Sequence, residues 1–157
     1  MTSQTPGYRL YAIAPAVLDD VRRSGLDVSG TPVEYRTATG GEPLRCCLRD
    51  AAAGADIMLF GYEPPLPRSP YREIGAVFAH AAPCDGPPVR YSPDWYGRPQ
   101  VLRAYDRDGR IHPATRVHEG SAPEAVIAEM LADPGVAQIH SRNVAYGCFM
   151  FGITRAD

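Results

Sequence analysis

The chain contains no lysine: all 16 of its basic residues are arginine. That absence removes Schiff-base and pyridoxal-phosphate chemistry and the usual phosphate loop, each of which needs a lysine amine. No apolar run reaches the ~18 residues that a transmembrane helix requires, and residues 1–7 are short and polar, so neither a membrane span nor a signal peptide is expected. Charge of one sign is also lacking. With a net charge of -2 and no basic stripe, neither nucleic acid nor an anionic membrane is expected as a partner. Gly-x-Gly-x-x-Gly, Gly-x-Ser-x-Gly, Cys-x-x-Cys and His-Glu-x-x-His patterns are missing as well, which takes support from dinucleotide, α/β-hydrolase and motif-built zinc chemistry. What remains is a cytoplasmic protein that handles small molecules or proteins.

At 157 residues the chain is read as one domain, 1–157, with 1–7 loosely ordered. A domain of this size buries ~70% of its unfolded surface, so neither a disulfide nor a metal is required for stability. Four cysteines, at 46, 47, 84 and 148, lie in apolar settings and suit reduced thiols.

The central stretch is Gly75 to Cys84, Gly-Ala-Val-Phe-Ala-His-Ala-Ala-Pro-Cys. Period-two alternation makes it a strand with Phe78, His80 and Ala82 on one face and Val77, Ala79 and Ala81 on the other. Further strands are expected over Tyr8 to Ala14, Val33 to Thr37, Leu44 to Arg49, Asp56 to Tyr62, Val101 to Tyr105, Arg110 to His112, Val136 to Ser141 and Gly147 to Thr154. Read as a strand, Leu44 to Arg49 would point Cys46 and Cys47 to opposite faces. Pro15 opens a helix ended by Gly25, and Ser121-Ala-Pro-Glu124 has capping-box spacing before a second. Asp106-Arg-Asp-Gly109 marks a hairpin turn. Pro64 to Pro70 forms an extended rim, and Asp85 to Pro99 is a long irregular loop carrying Tyr91, Trp95 and Tyr96. The pattern predicts an α+β domain: an antiparallel or mixed sheet of about seven short strands with two helices.

The segments Gly-Glu-Pro-Leu-Arg-Cys-Cys-Leu-Arg (41 to 49), Ser-Pro-Tyr-Arg-Glu-Ile-Gly (69 to 75), Val-Phe-Ala-His-Ala-Ala-Pro-Cys (77 to 84), Val-Leu-Arg-Ala-Tyr-Asp-Arg-Asp-Gly-Arg-Ile (101 to 111) and Asn-Val-Ala-Tyr-Gly-Cys-Phe (143 to 149), taken in this order, resemble the bacterial family catalogued as domain of unknown function 1203. The resemblance implies no activity and assigns no residue a role.

From the residues themselves, one pocket is expected to gather His80, Cys84, Cys47, Tyr146, Arg45, Arg103 and Arg142. The reading it favours is a cofactor-independent small-molecule enzyme of a biosynthetic pathway: an isomerase, cyclase, lyase or hydrolase. His80 is its candidate base and Cys84 and Cys47 its candidate thiols, with Tyr146 as a proton donor. Arg45, Arg103, Arg142, Tyr71, Tyr105 and Trp95 are candidates for substrate binding, the arginines gripping a carboxylate in two-pronged fashion, while Glu73 orients the histidine. Two other readings stand beside it. One is a metal site with ligands from His80, Cys84, Cys47 and Cys148, or His140; the other is a non-catalytic binding domain that uses the aromatic loop 91–96 as its contact surface. His112 and His118 read as surface residues, Cys46 as packing. Exposed strand edges make a homodimer an expectation.

Overall fold

The computed structural model describes residues 7–156. Of the segment expected to be loosely ordered, all but Gly7 lies outside the described residues. Ten strands and two helices run in the order β1 (Tyr8–Tyr11), α1 (Pro15–Ser24), β2 (Glu34–Thr37), β3 (Pro43–Leu44), β4 (Arg49–Asp50), β5 (Asp56–Tyr62), β6 (Gly75–His80), β7 (Gln100–Tyr105), β8 (Arg116–His118), α2 (Pro123–Leu131), β9 (Gln138–Asn143) and β10 (Phe149–Arg155). They form two five-stranded sheets, in the orders β1-β10-β9-β7-β8 and β2-β5-β6-β3-β4. The first is antiparallel throughout, and the second is mixed because β3 runs parallel to β6. The expected single sheet of about seven strands is corrected accordingly. Strands of two residues are too short to carry an alternation, and alternation never says which strands are partners.

Each sheet packs over its own core. One cluster gathers Leu18 and Val21 of α1 with Leu44, Ile57, Met58, Phe60 and Val77. The other gathers Leu102, Ile127, Met130, Ile139, Phe151 and Ile153 around Trp95. Alternation along β6 is as read from the sequence, with Val77 and Ala79 buried while Phe78 and His80 are half-buried on the other face. In α1, Pro15 stands in the first turn and Gly25 closes the helix in the left-handed region at φ 68°. The capping box before α2 does not form. Ala122, not Ser121, is the N-cap residue, it lies in the left-handed region at φ 49°, and no side chain caps the helix.

Residues 44–49 are not one strand. Between β3 and β4 the chain makes a tight turn over 45–48, closed by the Leu48 amide donating to the Leu44 carbonyl at 2.9 Å. Leu48 sits at φ 58°, in the left-handed region that few residues other than glycine adopt. Its side chain is buried in the second core, which holds the chain in that conformation.

Candidate metal centre

The turn at 45–48 changes what adjacent cysteines can do. In a tight turn successive side chains need not diverge by half a revolution as they do in a strand, and Cys46 and Cys47 point toward the same place. His80, the last residue of β6, and Cys84, just past Pro83, complete the group. One ligand atom from each of Cys46, Cys47, His80 and Cys84 lies within 4.8 Å of the other three.

The scaffold holds this group from several sides. Leu44 pairs with Phe78, two residues before His80, and the Arg45 amide donates to the Phe78 carbonyl at 2.8 Å. The His80 amide donates to Cys46 Sγ at 3.2 Å. From α1, Arg22 donates to the carbonyls of His80 and Ala82 at 3.0 and 3.2 Å and so fixes the end of β6. Cys46 and Cys47 are buried, His80 is half-buried and Cys84 is exposed. A cavity of about 450 Å³ between β1, α1 and the loop after β6 has Cys46 and Cys84 in its wall.

The three thiols do not share one environment. Cys46 donates its hydrogen to Cys47; that bond, with burial second, pushes the Cys46 thiol far above its ordinary range. The same bond holds the Cys47 thiol below its usual value, helped by the backbone amide of Arg49. Burial pushes Cys84 up. Deprotonated thiolates and a neutral imidazole are the soft donors that zinc-class ions take.

The remaining candidates lie elsewhere. Cys148 is not in the group; it is half-buried beside a different cavity that also has Arg45 and Tyr146 in its wall. Burial lowers the Arg45 guanidinium to about 10, still cationic at neutral pH. Arg103 and Arg142 sit together, yet the carboxylate they hold is the protein's own Glu73, at 3.0 and 2.5 Å. Glu73 therefore does not orient His80. Tyr71 and Tyr105 border the same spot, where the space left is only about 10 Å³. His140 is buried there, edge-on to Tyr105 and Phe149 with ring centroids at 4.8 and 5.2 Å, and takes no part in the cysteine group. Trp95 is 0% exposed, stacked on Phe151, and donates to Asp50 at 3.0 Å, so it is a core residue rather than a substrate contact. Tyr91 is buried with it. His118, expected at the surface, is buried, because it faces inward at the end of β8 and accepts from the Gly120 amide at 3.0 Å. His112 is half-buried, its ring nitrogen accepting from the Ala114 amide at 3.0 Å.

Cys46 was missed as a site residue because 44–49 reads as a strand. The signal that finds it is the Cys-Cys doublet on a turn facing the end of a histidine-bearing strand.

The fold and this group together define a two-sheet protein with a three-cysteine, one-histidine cluster at the end of a central strand. Residues 41–155 match the family described as Protein of unknown function (DUF1203), and the chain belongs to that family. No curated protein and no solved structure matches it. No described helix is long and apolar enough to cross a membrane.

Proposed function

We propose that this chain binds a zinc-class transition-metal ion through Cys46, Cys47, Cys84 and His80. The observation that carries the reading is the convergence of four soft donors from three separate segments to within 4.8 Å. Around a tetrahedral zinc with Zn–S bonds of ~2.3 Å, neighbouring ligand atoms stand ~3.7 Å apart. The group needs only a small contraction to close on an ion. Four protein ligands fill a tetrahedron, so the ion would be structural in the first instance. It ties the β3–β4 turn and the loop after Pro83 to the end of β6, where β3 and β4 contribute only two residues each.

This reading displaces the cofactor-independent enzyme that the residues first suggest. The pocket that reading needs is divided: Arg103 and Arg142 are committed to Glu73, and Tyr146 and Arg45 border a cavity that has Cys148 but none of Cys47, His80 and Cys84 in its wall. The surface reading of loop 91–96 loses two of its three aromatics to the core.

The test is metal content and cobalt substitution on protein prepared under reducing conditions without an affinity-tag metal column. Stoichiometric metal is expected, and the cobalt form should show thiolate-to-metal charge transfer with the intense visible bands of a tetrahedral site. Cys47→Ser and Cys84→Ser should lose most of both signals, whereas Cys148→Ser should keep them. Absence of metal together with no charge-transfer band in the cobalt-treated protein would sink the reading.

A further inference from the structure

A cleft of about 680 Å³ opens where the two sheets meet, walled by β3, β5 and β6 on one side and by β7, β9 and β10 on the other. Its apolar wall includes Leu59, Phe78 and Met150, and no Asp or Glu among the described residues lines it. Beside Tyr146 and Cys148, its polar wall holds Arg45, Gln100 and Asn143, which offer donors because their acceptors are absent or already used. Arg45 is 3% exposed and has no carboxylate partner among the described residues. Its Nε donates to the Phe149 carbonyl at 2.7 Å and its Nη1 to the Pro43 carbonyl at 2.6 Å, which leaves Nη2 without an acceptor among the described residues. Gln100 is also buried; its Oε1 accepts from the Tyr91 hydroxyl at 3.1 Å and from the Ser141 hydroxyl, so the free end of the amide is the NH₂ donor. Asn143 repeats the pattern, with Oδ1 accepting from the amides of Ala145 and Tyr146 at 3.0 Å each. Arg98, the other cation of the wall, is paired with Asp50 at 2.5 Å.

The cleft therefore presents one guanidinium without a carboxylate partner, two free carboxamide NH₂ groups, the Cys148 thiol, the Tyr146 hydroxyl and an apolar wall. A buried cation without a counter-ion is costly, and an anion that enters the cleft supplies what the chain does not. One unpaired positive charge matches a monoanion better than a phosphate dianion. The apolar wall matches a hydrocarbon body, and clefts of ~300–1,000 Å³ suit small molecules.

We propose that this cleft binds a small organic monocarboxylate, its carboxylate held by Arg45, Gln100 and Asn143 and its apolar body against Phe78, Leu59 and Met150. None of these residues is a ligand in the metal reading, and the proposal does not depend on it. Tyr146, 85% exposed at the mouth of the cleft, is left free to contact the ligand's far end.

The test is titration of the whole protein, in phosphate-free buffer, with benzoate and hexanoate against benzamide and hexanamide, followed by calorimetry and ligand-observed NMR. At least one acid should bind tenfold or more tightly than its amide. That preference should be lost in Gln100→Glu, a near-isosteric change that sets a carboxylate among the donors, and in Arg45→Met. Should Arg45→Met fail to fold, Gln100→Glu together with Asn143→Asp decides the matter. Equal binding of acids and amides, acid binding unchanged in the folded variants, or no acid binding at millimolar concentration would each overturn the proposal.

Discussion

Glu73 is shared by two arginines that would otherwise repel one another. Arg103 pairs with His140 across the β7–β9 register and Arg142 lies two residues further along β9, so both side chains stand on the same face of the sheet. Like charges this close on one face are destabilising, and Arg142 is largely shielded from water, with only 11% of its side chain exposed. Replacing Glu73 by Gln keeps the shape and removes the charge that both partners use. Because the Glu73 side chain is itself 44% exposed, solvent screens much of the interaction, and a loss of about 1 kcal/mol is expected in urea unfolding. Unchanged stability would mean that the pair is not held by charge. The sequence shows these two arginines as obvious grips for a carboxylate, and they do grip one. What it does not reveal is that the carboxylate comes from Glu73, because nothing in the residues ahead of β6 says which strand pair they fold over. Cys46 and Gln100 were hidden for the same reason. A residue type announces its chemistry, whereas its partner is set by register and turn geometry.

Register also explains a glycine. Gly152 lies in β10 between Tyr11 of β1 and His140 of β9, directly opposite each. The Tyr11 ring lies across the place where a side chain would stand, so that an added Cβ would run into the ring. The ring cannot simply swing away, because its hydroxyl reaches across β10 on the same face and donates to Gln138 Oε1 of β9 at 2.7 Å. Gly152→Ala should therefore cost about 1–3 kcal/mol of stability, as overpacking a filled site does. Tyr11→Phe, which frees the ring from Gln138, should recover part of that loss when combined with it. Additive effects in the double variant would rule out this contact as the cause. At this scale most long elements were readable. Alternation marked β6, the strands expected over Asp56 to Tyr62, Val101 to Tyr105 and Gly147 to Thr154 cover β5 and all but an end residue of β7 and β10, and proline and glycine marked both ends of α1. The failures fall on short pieces. The stretch 44–49 looks like a strand because all six of its residues are leucine, cysteine or arginine, and the start of α2 looks like a capping box because Ser121 and Glu124 have the spacing without the backbone geometry. Neither error is visible without φ at Leu48 and Ala122.

For the molecule as a whole, the meeting of the two sheets buries ionisable groups that a single sheet would leave wet. His140 is the clearest case. Burial foremost, then the neighbouring Arg142 and last Arg103, lower its pKa from 6.5 to about 4, against an opposing effect from the Pro65 carbonyl. The unfolded chain thus binds a proton that the native protein refuses. Stability from the neutral imidazole is complete above about pH 6.5 and is lost as pH falls from there toward 4. The full displacement corresponds to on the order of 3 kcal/mol. His118, lowered by its own burial, acts in the same direction. The acid groups held low by backbone amides, Asp27, Glu42 and Asp106, lose their contribution only below the ordinary carboxylate range, so the window above it belongs to the histidines. Acid also strips a metal from thiolates and imidazole, which would steepen the same limb. Comparison with His140→Gln removes that ambiguity, since the metal contribution is common to both proteins and cancels in the difference. The variant should be less stable than the parent near neutrality, where it has lost the contacts with Tyr105 and Phe149. The gap in urea midpoints should then narrow steadily as pH falls toward about 4. A gap that stays constant across that range would show that His140 titrates alike in the folded and unfolded chains, and the junction between the sheets would then be open to water at that point.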